Sequence, residues 1–363
     1  MPEAPFSAIP PQSLCLLRTS ALGDATHVVP LVRTLQAQWP QTQLTWIIGK
    51  LEHKLVGDIG GVEFVVFDKA QGWRGFDAVR AQLRGRRFDA LLHMQVALRA
   101  NLLSTLVHAP LRIGYDRARS KDLHGLFVNR RIAARSGEHV LDAMASFIEP
   151  LGLAQTQVRW DIPIPAQADA FATQHLPGDA PTLLVSPCSS HTVRNWRPER
   201  YAAAMDHAAT RLGWRVALCG GPSAYERTFG DAIVEKATNK PIDLIGKDTL
   251  KQFLALARHA TLVLTPDSGP MHMANAVGAP VLGLHAASNP RRSGPYSDRQ
   301  WCVDRYDDAA RKFRGKPASE LAWGTKLEYP GVMDLIEVDD VIERLEVFAL
   351  RRNAGTQPPA VAR

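Results

Sequence analysis

Four short stretches carry the side chains able to do chemistry, and each follows an apolar run. The first is Arg18-Thr19-Ser20-Ala21-Leu22-Gly23-Asp24. A carboxylate at the start of a helix can take the proton of a hydroxyl as that hydroxyl attacks, so Asp24 is a candidate general base. A neighbouring cation, Arg18, would keep it ionised and lower its basicity. Asp is also a preferred capping residue, and on position alone a plain N-cap is the favoured reading. Gly23 can take a sharp turn that brings backbone N–H groups toward a ligand.

The second stretch is Ser186-Pro187-Cys188-Ser189-Ser190-His191-Thr192-Val193-Arg194-Asn195-Trp196. Two adjacent hydroxyls, Ser189 and Ser190, with the fixed charge of Arg194 suit a diphosphate. A hydroxyl-rich surface loop is the alternative. The third is Thr265-Pro266-Asp267-Ser268-Gly269-Pro270-Met271-His272. Ser268 and Gly269 put small side chains and free N–H groups at a helix N-terminus, a natural phosphate site. His272 lies one turn on and can reach the same anion, and Asp267 can bond sugar hydroxyls. The fourth is Gly220-Gly221-Pro222-Ser223, with Glu226 one turn later as a candidate ribose contact; ordinary turn chemistry explains it as well. A basic stretch follows the first half's strands: Arg112, Arg117, Arg119, Lys121, Arg130 and Arg131. Such runs are usually solvated faces. Opposite a nucleotide, this one could grip a phosphorylated acceptor.

The elements that must hold these loops read as alternating strands and helices. In the first half, apolar runs at 14–18, 44–48, 62–67 and 88–94 predict buried strands. Helical spacing appears over 28–39, closed by Pro40, then over 75–83 and 97–108. Residues 155–180 break the rhythm with Ile-Pro-Ile-Pro and Leu-Pro-Gly-Asp-Ala-Pro. The second half restarts with strands at 182–186, 215–219, 241–245, 261–265 and 280–285. Its helices begin near Pro198, Ser223, Thr249 and Gly269, and a last one covers 338–350. This predicts an α/β chain of two doubly wound, Rossmann-like domains facing across a cleft. The expected bounds are 1–170 and 171–350, with 351–363 a flexible tail and the last helix able to pack back on the first domain. In such sheets ligands sit at the carboxyl ends of strands, where these loops lie.

The chain has 363 residues, 45% hydrophobic and 22% charged, with Gly 26 and Pro 25. Collagen-like, disordered and disulfide-scaffold classes are excluded. No apolar run reaches membrane-spanning length, and no basic-then-apolar leader opens the chain, so the expected location is cytoplasmic. Cys15, Cys188, Cys219 and Cys302 form no CxxC pair and read as buried thiols. Lys+Arg 43 against Asp+Glu 36 gives +7, which favours anionic partners. No nucleic-acid motif is present. GxGxxG, Walker, HExxH, GxSxG and Asp-x-Asp motifs are absent, and the last absence argues against a metal-bound sugar diphosphate.

In this order the pieces resemble the family 9 glycosyltransferases, the bacterial ADP-heptose:lipopolysaccharide heptosyltransferases. The resemblance rests on residues 18–24 with the Pro30 helix, on Trp196-Arg197-Pro198-Glu199-Arg200-Tyr201, and on residues 265–272. It implies a GT-B fold and an inverting, metal-independent transfer with no cofactor beyond the donor, ADP-heptose. The family's proposed base falls on Asp24. Donor contacts fall on Ser189, Ser190, Arg194, Asp267, Ser268, Gly269 and His272; Glu226 joins them as a candidate only by its place after the glycine pair. Acceptor contacts fall on Arg18, Gly23 and Arg119. The implied acceptor is a lipid-linked lipopolysaccharide core sugar (Kdo or heptose), and the basic balance would suit peripheral docking on the inner leaflet. Another nucleotide sugar or acceptor, or a sugar-nucleotide epimerase, is the competing reading. Arg194 stands where members often show Lys, and residues 311–333 stand as an insertion.

Overall fold

The computed structural model describes residues 5–6, 9–154 and 158–355. The contacts divide the chain into two units, 1–163 and 164–363. The first opens with β1 (Ser13–Leu17), α1 (Leu22–Gln38), β2 (Gln43–Gly49), α2 (Lys50–Val56), β3 (Val62–Phe67) and α3 (Trp73–Leu83). It continues with β4 (Ala90–His93), α4 (Leu98–Ser104), β5 (Leu111–Gly114), β6 (Arg130–Arg131) and α5 (Val140–Ala145). The sheet is parallel throughout, ordered β3-β2-β1-β4-β5-β6. β1 is the central strand: Leu14 lies beside Leu44 on one side and Ala90 on the other. It is apolar along its length because helices cover both faces, so alternation is lost.

The second unit holds α6 (Ala166–His175), β7 (Thr182–Val185), α7 (Pro198–Thr210), β8 (Arg215–Leu218), α8 (Ala224–Lys236) and β9 (Ile242–Asp243). Then come α9 (Leu250–His259), β10 (Leu262–Pro266), α10 (Gly269–Ala276), β11 (Val281–His285) and α11 (Pro290–Ser293). β12 (Val303–Asp304), α12 (Tyr306–Arg314) and α13 (Val338–Asn353) complete it. Its parallel sheet runs β12-β11-β10-β7-β8-β9. Both sheets therefore have Rossmann order, with the switch in strand order between β1 and β4 in one and between β7 and β10 in the other.

Four predicted helix starts are found: Pro198 and Gly269 open α7 and α10, while Ser223 and Thr249 are N-caps that accept from the N–H of Glu226 and Gln252. The short strands β5, β6 and β12 carry no apolar run long enough to be read as strands. α6 belongs to the second unit, packing on α9, with Asp169 paired to Arg258 at 2.6 Å and His259 at 2.8 Å. α13 buries Val341, Leu345, Phe348 and Ala349 in the second unit's core. Of the expected tail, 356–363 lie outside the described residues, while Arg351 and Arg352 belong to the last turn of α13. All four cysteines are buried and free; burial pushes the Cys188 thiol up to about 12.

Candidate active site

The switch points are where the candidate residues gather, one cluster in each unit. In the first unit, residues 18–24 leave β1 and turn into α1. Arg18 and Asp24 form an ion pair with little exposure, 13% and 28% of the side chains. Burial opposes the Arg18 charge, but Asp24, with Tyr115 and Glu52, holds the guanidinium above its ordinary range. Arg18 also donates to the Met94 carbonyl after β4, while its buried Nε has no hydrogen-bond partner among the described residues. Asp24 is the third residue of α1 and accepts the Ala21 N–H at 3.2 Å. The N-cap position is Ala21, not Asp24; from the third helical position Asp24 reaches back to the Ala21 N–H and faces Arg18 at once.

Gly23 is placed differently from expectation. Ala21 is extended and α1 starts at Leu22, so Gly23 is buried inside the first helical turn. The backward reach of the Asp24 carboxylate to Ala21 N–H sets that start, six residues before the apolar periodicity becomes visible. The loop is fastened by a residue that sequence reasoning missed. Gln95, after β4, accepts from Thr19 N–H at 2.8 Å and Thr19 Oγ1 at 2.9 Å, and donates to Ser20 Oγ at 3.0 Å. On the other side Trp46 Nε1 donates to the Arg18 carbonyl at 3.1 Å. Gly49 ends β2 against the same loop; a Cβ there would come within 2.1 Å of the Thr19 carbonyl oxygen.

Among the described residues, Arg119 bonds within its own part of the first unit and not to the 18–24 loop. Its guanidinium joins Asp116, Glu138 at 2.8 Å and the Ala133 carbonyl at 2.9 Å, a clamp on the turn after β5. Arg112 is likewise tied to the carbonyls of Ser104, Val107 and Phe127, each at 2.8 Å. These two members of the basic stretch shape backbone; Arg117, Lys121 and Arg131 are exposed.

In the second unit the loops after β7 and β10 meet. Ser189 Oγ donates to the Asp267 carbonyl at 3.2 Å, and Ser189 N–H to Asn195 Oδ1 at 2.7 Å. Arg194 is buried, with Nη1 3.3 Å from Asp267 Oδ2 and Nε 2.8 Å from Glu328 Oε1. Burial would raise the Asp267 carboxyl, but His285, Arg194 and His272 hold it below the usual range. His272 Nε2 lies 4.0 Å from Asp267 Oδ1. Ser268 is the N-cap of α10, yet its hydroxyl pairs with Thr265 Oγ1 at 3.0 Å and makes no capping bond. The first N–H groups of α10, beginning at Gly269, thus receive no bond from the side chain of their own cap. Ser190, next to Ser189 in the loop after β7, is exposed.

Glu328 was missed because it stands in the 311–333 segment, 134 residues from Arg194, with no local pattern to mark it. Burial raises and Arg194 lowers its carboxyl, with a net depression. Lys326 on the same segment is lowered by desolvation and by Arg194. The Trp-Arg-Pro-Glu-Arg-Tyr motif has a structural explanation. Trp196 is fully buried and donates to the Ile336 carbonyl at 2.8 Å; Tyr201 Oη donates to the Pro187 carbonyl at 3.2 Å, pinning the hydroxyl loop. Glu226 accepts the Gly221 N–H at 2.6 Å and the Ser223 hydroxyl at 3.3 Å, so it closes its own turn at the end of β8. Among the described residues no three His, Cys, Asp or Glu side chains are grouped to hold a metal ion.

The model of glycosyltransferase family 9, described as heptosyltransferase, matches residues 77–323. The lipopolysaccharide core heptosyltransferase OpsX of Haemophilus influenzae is 39% identical over 340 residues, 94% of this chain and 98% of that protein. The chain belongs to glycosyltransferase family 9. Solved structures share the fold. A family 9 glycosyltransferase from Veillonella parvula aligns with TM-score 0.74 at 23% identity, covering 94% of this chain and 97% of that one. E. coli heptosyltransferase WaaC with ADP aligns with TM-score 0.71 at 20% identity, covering 93% and 99%. The family 9 fold expected from the sequence, GT-B with two Rossmann-like domains, is the fold of this chain. Within it, the family's motif residues stand at the carboxyl ends of β1, β7 and β10.

Proposed function

We propose that this glycosyltransferase moves a heptose from ADP-heptose to an inner-core sugar, Kdo or heptose, of lipid-linked lipopolysaccharide, inverting the anomeric centre without a metal ion. The observation that carries the reading is the 39% identity to OpsX over nearly the whole of both chains. In the proposed reaction Asp24 takes the proton of the acceptor hydroxyl. The hydroxyl oxygen attacks the anomeric carbon, the bond from that carbon to the diphosphate oxygen breaks, and ADP departs with the negative charge. The N–H groups at the start of α10, the Ser190 and Ser268 hydroxyls and the cations Arg194 and Lys326 meet that charge. Asp267 holds Arg194 and faces the sugar, with His272 beside it. Glu226 takes the ribose. Two protein cations supply the compensation that a metal gives in Asp-x-Asp enzymes. The acceptor's lipid anchor brings the enzyme to the cytoplasmic face of the inner membrane.

The test is a single-turnover assay with ADP-heptose, with and without Kdo-bearing lipid A, in the presence and absence of a chelator. ADP release, acceptor mass and anomeric configuration are followed. Acceptor-dependent release with one inverted heptose added, unaffected by chelation, is expected. Donor conversion without acceptor would overturn the transferase reading in favour of an epimerase.

A further inference from the structure

The surface that follows Gln95 in the first unit is unusually apolar. α4 exposes Leu98 (50%) and Leu102 (39%), four apart and so on one face. The turn after β5 exposes Leu123 (69%) and Leu126 (79%). The two pieces are fastened together: Asp122 accepts the Leu98 N–H at 3.2 Å, and Asn101 of α4 donates to the Asp122 carbonyl at 2.7 Å. Below them Asn101 Oδ1 lies 2.9 Å from Nε2 of buried His93 and 2.9 Å from Nδ1 of buried His124. Asp122 and Leu123 both have left-handed backbone, φ 51° and 61°. A leucine held in that strained region with its side chain in water contributes nothing to its own core.

Exposed cations share these segments: Arg99 follows Leu98, Lys121 stands two before Leu123, and Arg131 is exposed as well. The Arg131 guanidinium lies beside Gly125, between Leu123 and Leu126 in the chain: a Cβ on Gly125 would be 2.6 Å from its Nη2. Exposed apolar side chains with exposed cations in the same segments fit the boundary between headgroups and acyl chains of an anionic bilayer. A water-facing role would not require the leucines, and a neutral protein partner would not require the cations.

We propose that Leu98, Leu102, Leu123 and Leu126, with the exposed cations of the same segments, are the surface by which this enzyme sits on an anionic phospholipid bilayer. The proposal rests on the lipid-linked acceptor proposed above and adds the place of docking. Gln95 holds the Arg18–Asp24 loop two residues before α4 is capped, so a bilayer under α4 brings acceptor headgroups to that loop.

The test uses the full chain and sedimentation with vesicles of phosphatidylethanolamine and phosphatidylglycerol, against phosphatidylcholine alone. Leu123→Asp/Leu126→Asp is compared with the parent. The parent should partition onto the anionic vesicles, and raised salt should weaken it by about fivefold for each cation screened. The double variant should lose about tenfold or more of that partitioning while keeping ADP binding and transfer to a de-acylated, water-soluble acceptor. Equal vesicle binding by parent and variant would overturn the proposal, as would a parent that binds neither vesicle. A parent that is dimeric in solution and made monomeric by the substitutions would assign the face to a second copy instead. Vesicle binding that depends on the leucines, with no transfer to any acceptor, would support the surface and sink the functional reading alone.

Discussion

Asp24 both fastens the start of α1 and pairs with Arg18, so its removal has a structural cost and a chemical one, and two substitutions separate them. Asp24→Ala deletes the acceptor for Ala21 N–H and the carboxylate that faces Arg18, leaving the guanidinium its bond to the Met94 carbonyl. Removing one partner of this half-buried pair together with the helix-start bond costs about 2–3 kcal/mol. Asp24→Asn keeps an oxygen for Arg18 or Ala21 but loses the charge, and about 1–2 kcal/mol is expected. Chemically the two changes are alike, because neither alanine nor a neutral amide can accept the acceptor's proton. Loss of a general base lowers turnover by about 10²- to 10⁴-fold, or about 3–5 kcal/mol of barrier. Urea unfolding should therefore rank parent, Asn and Ala in falling order. Single-turnover transfer should place Asn and Ala together, far below the parent. ADP affinity, measured by calorimetry, should stay within about threefold for both, because no donor contact has been removed. If Asp24→Asn transfers heptose within tenfold of the parent while Asp24→Ala does not, activity is following the fold of the loop. Asp24 would then be a helix-start and positioning residue, and the base would have to be sought elsewhere.

Gly49→Ala places a Cβ against the Thr19 carbonyl, so the 18–20 loop must shift; a displacement near 1 Å should cost about 10²-fold in kcat, with ADP binding unchanged, and full activity would show that the loop's position is not critical. Arg194→Lys keeps a charge but gives up the planar fork shared between Asp267 and Glu328. ADP affinity measured by calorimetry should fall by about tenfold, and an unchanged Kd would remove Arg194 from the donor site. Asp298 is lifted by burial to about 7, despite a 3.5 Å bond from Asn275. A raised carboxyl binds its proton more tightly folded than unfolded, so stability falls as pH rises from about 4 through about 7. Asp298→Asn should remove that part of the slope and stabilise the protein at pH 8; unfolding curves with the same pH dependence as the parent would refute it.

Much of the fold was legible from local pattern. The central strands β1, β4, β7 and β10 are apolar runs because they are covered on both faces, and helix starts at Pro198, Ser223, Thr249 and Gly269 carry their own capping chemistry. Strand-end position then pointed to Asp24, Ser189, Arg194 and Asp267 without any contact being known. What the pattern did not carry was the short strands β5, β6 and β12, too short to show a period, and the true start of α1, which a side chain three residues inside the helix decides.

The partners of the site residues are a different matter. Gln95 reaches Thr19 across 76 positions, Arg194 reaches Asp267 across 73 and Glu328 across 134. Nothing in the neighbourhood of Gln95 or Glu328 marks them, because a side-chain hydrogen bond depends on distance in space and leaves no period in the chain. The same limit explains Arg119 and Arg112, basic residues whose guanidinium groups proved to be clamped onto carboxylates and carbonyls. Sequence determined which loops carry chemistry, since strand, turn and helix are set by residues close along the chain. Tertiary structure decided what each charged group in those loops faces, since packing alone brings distant side chains within bonding distance.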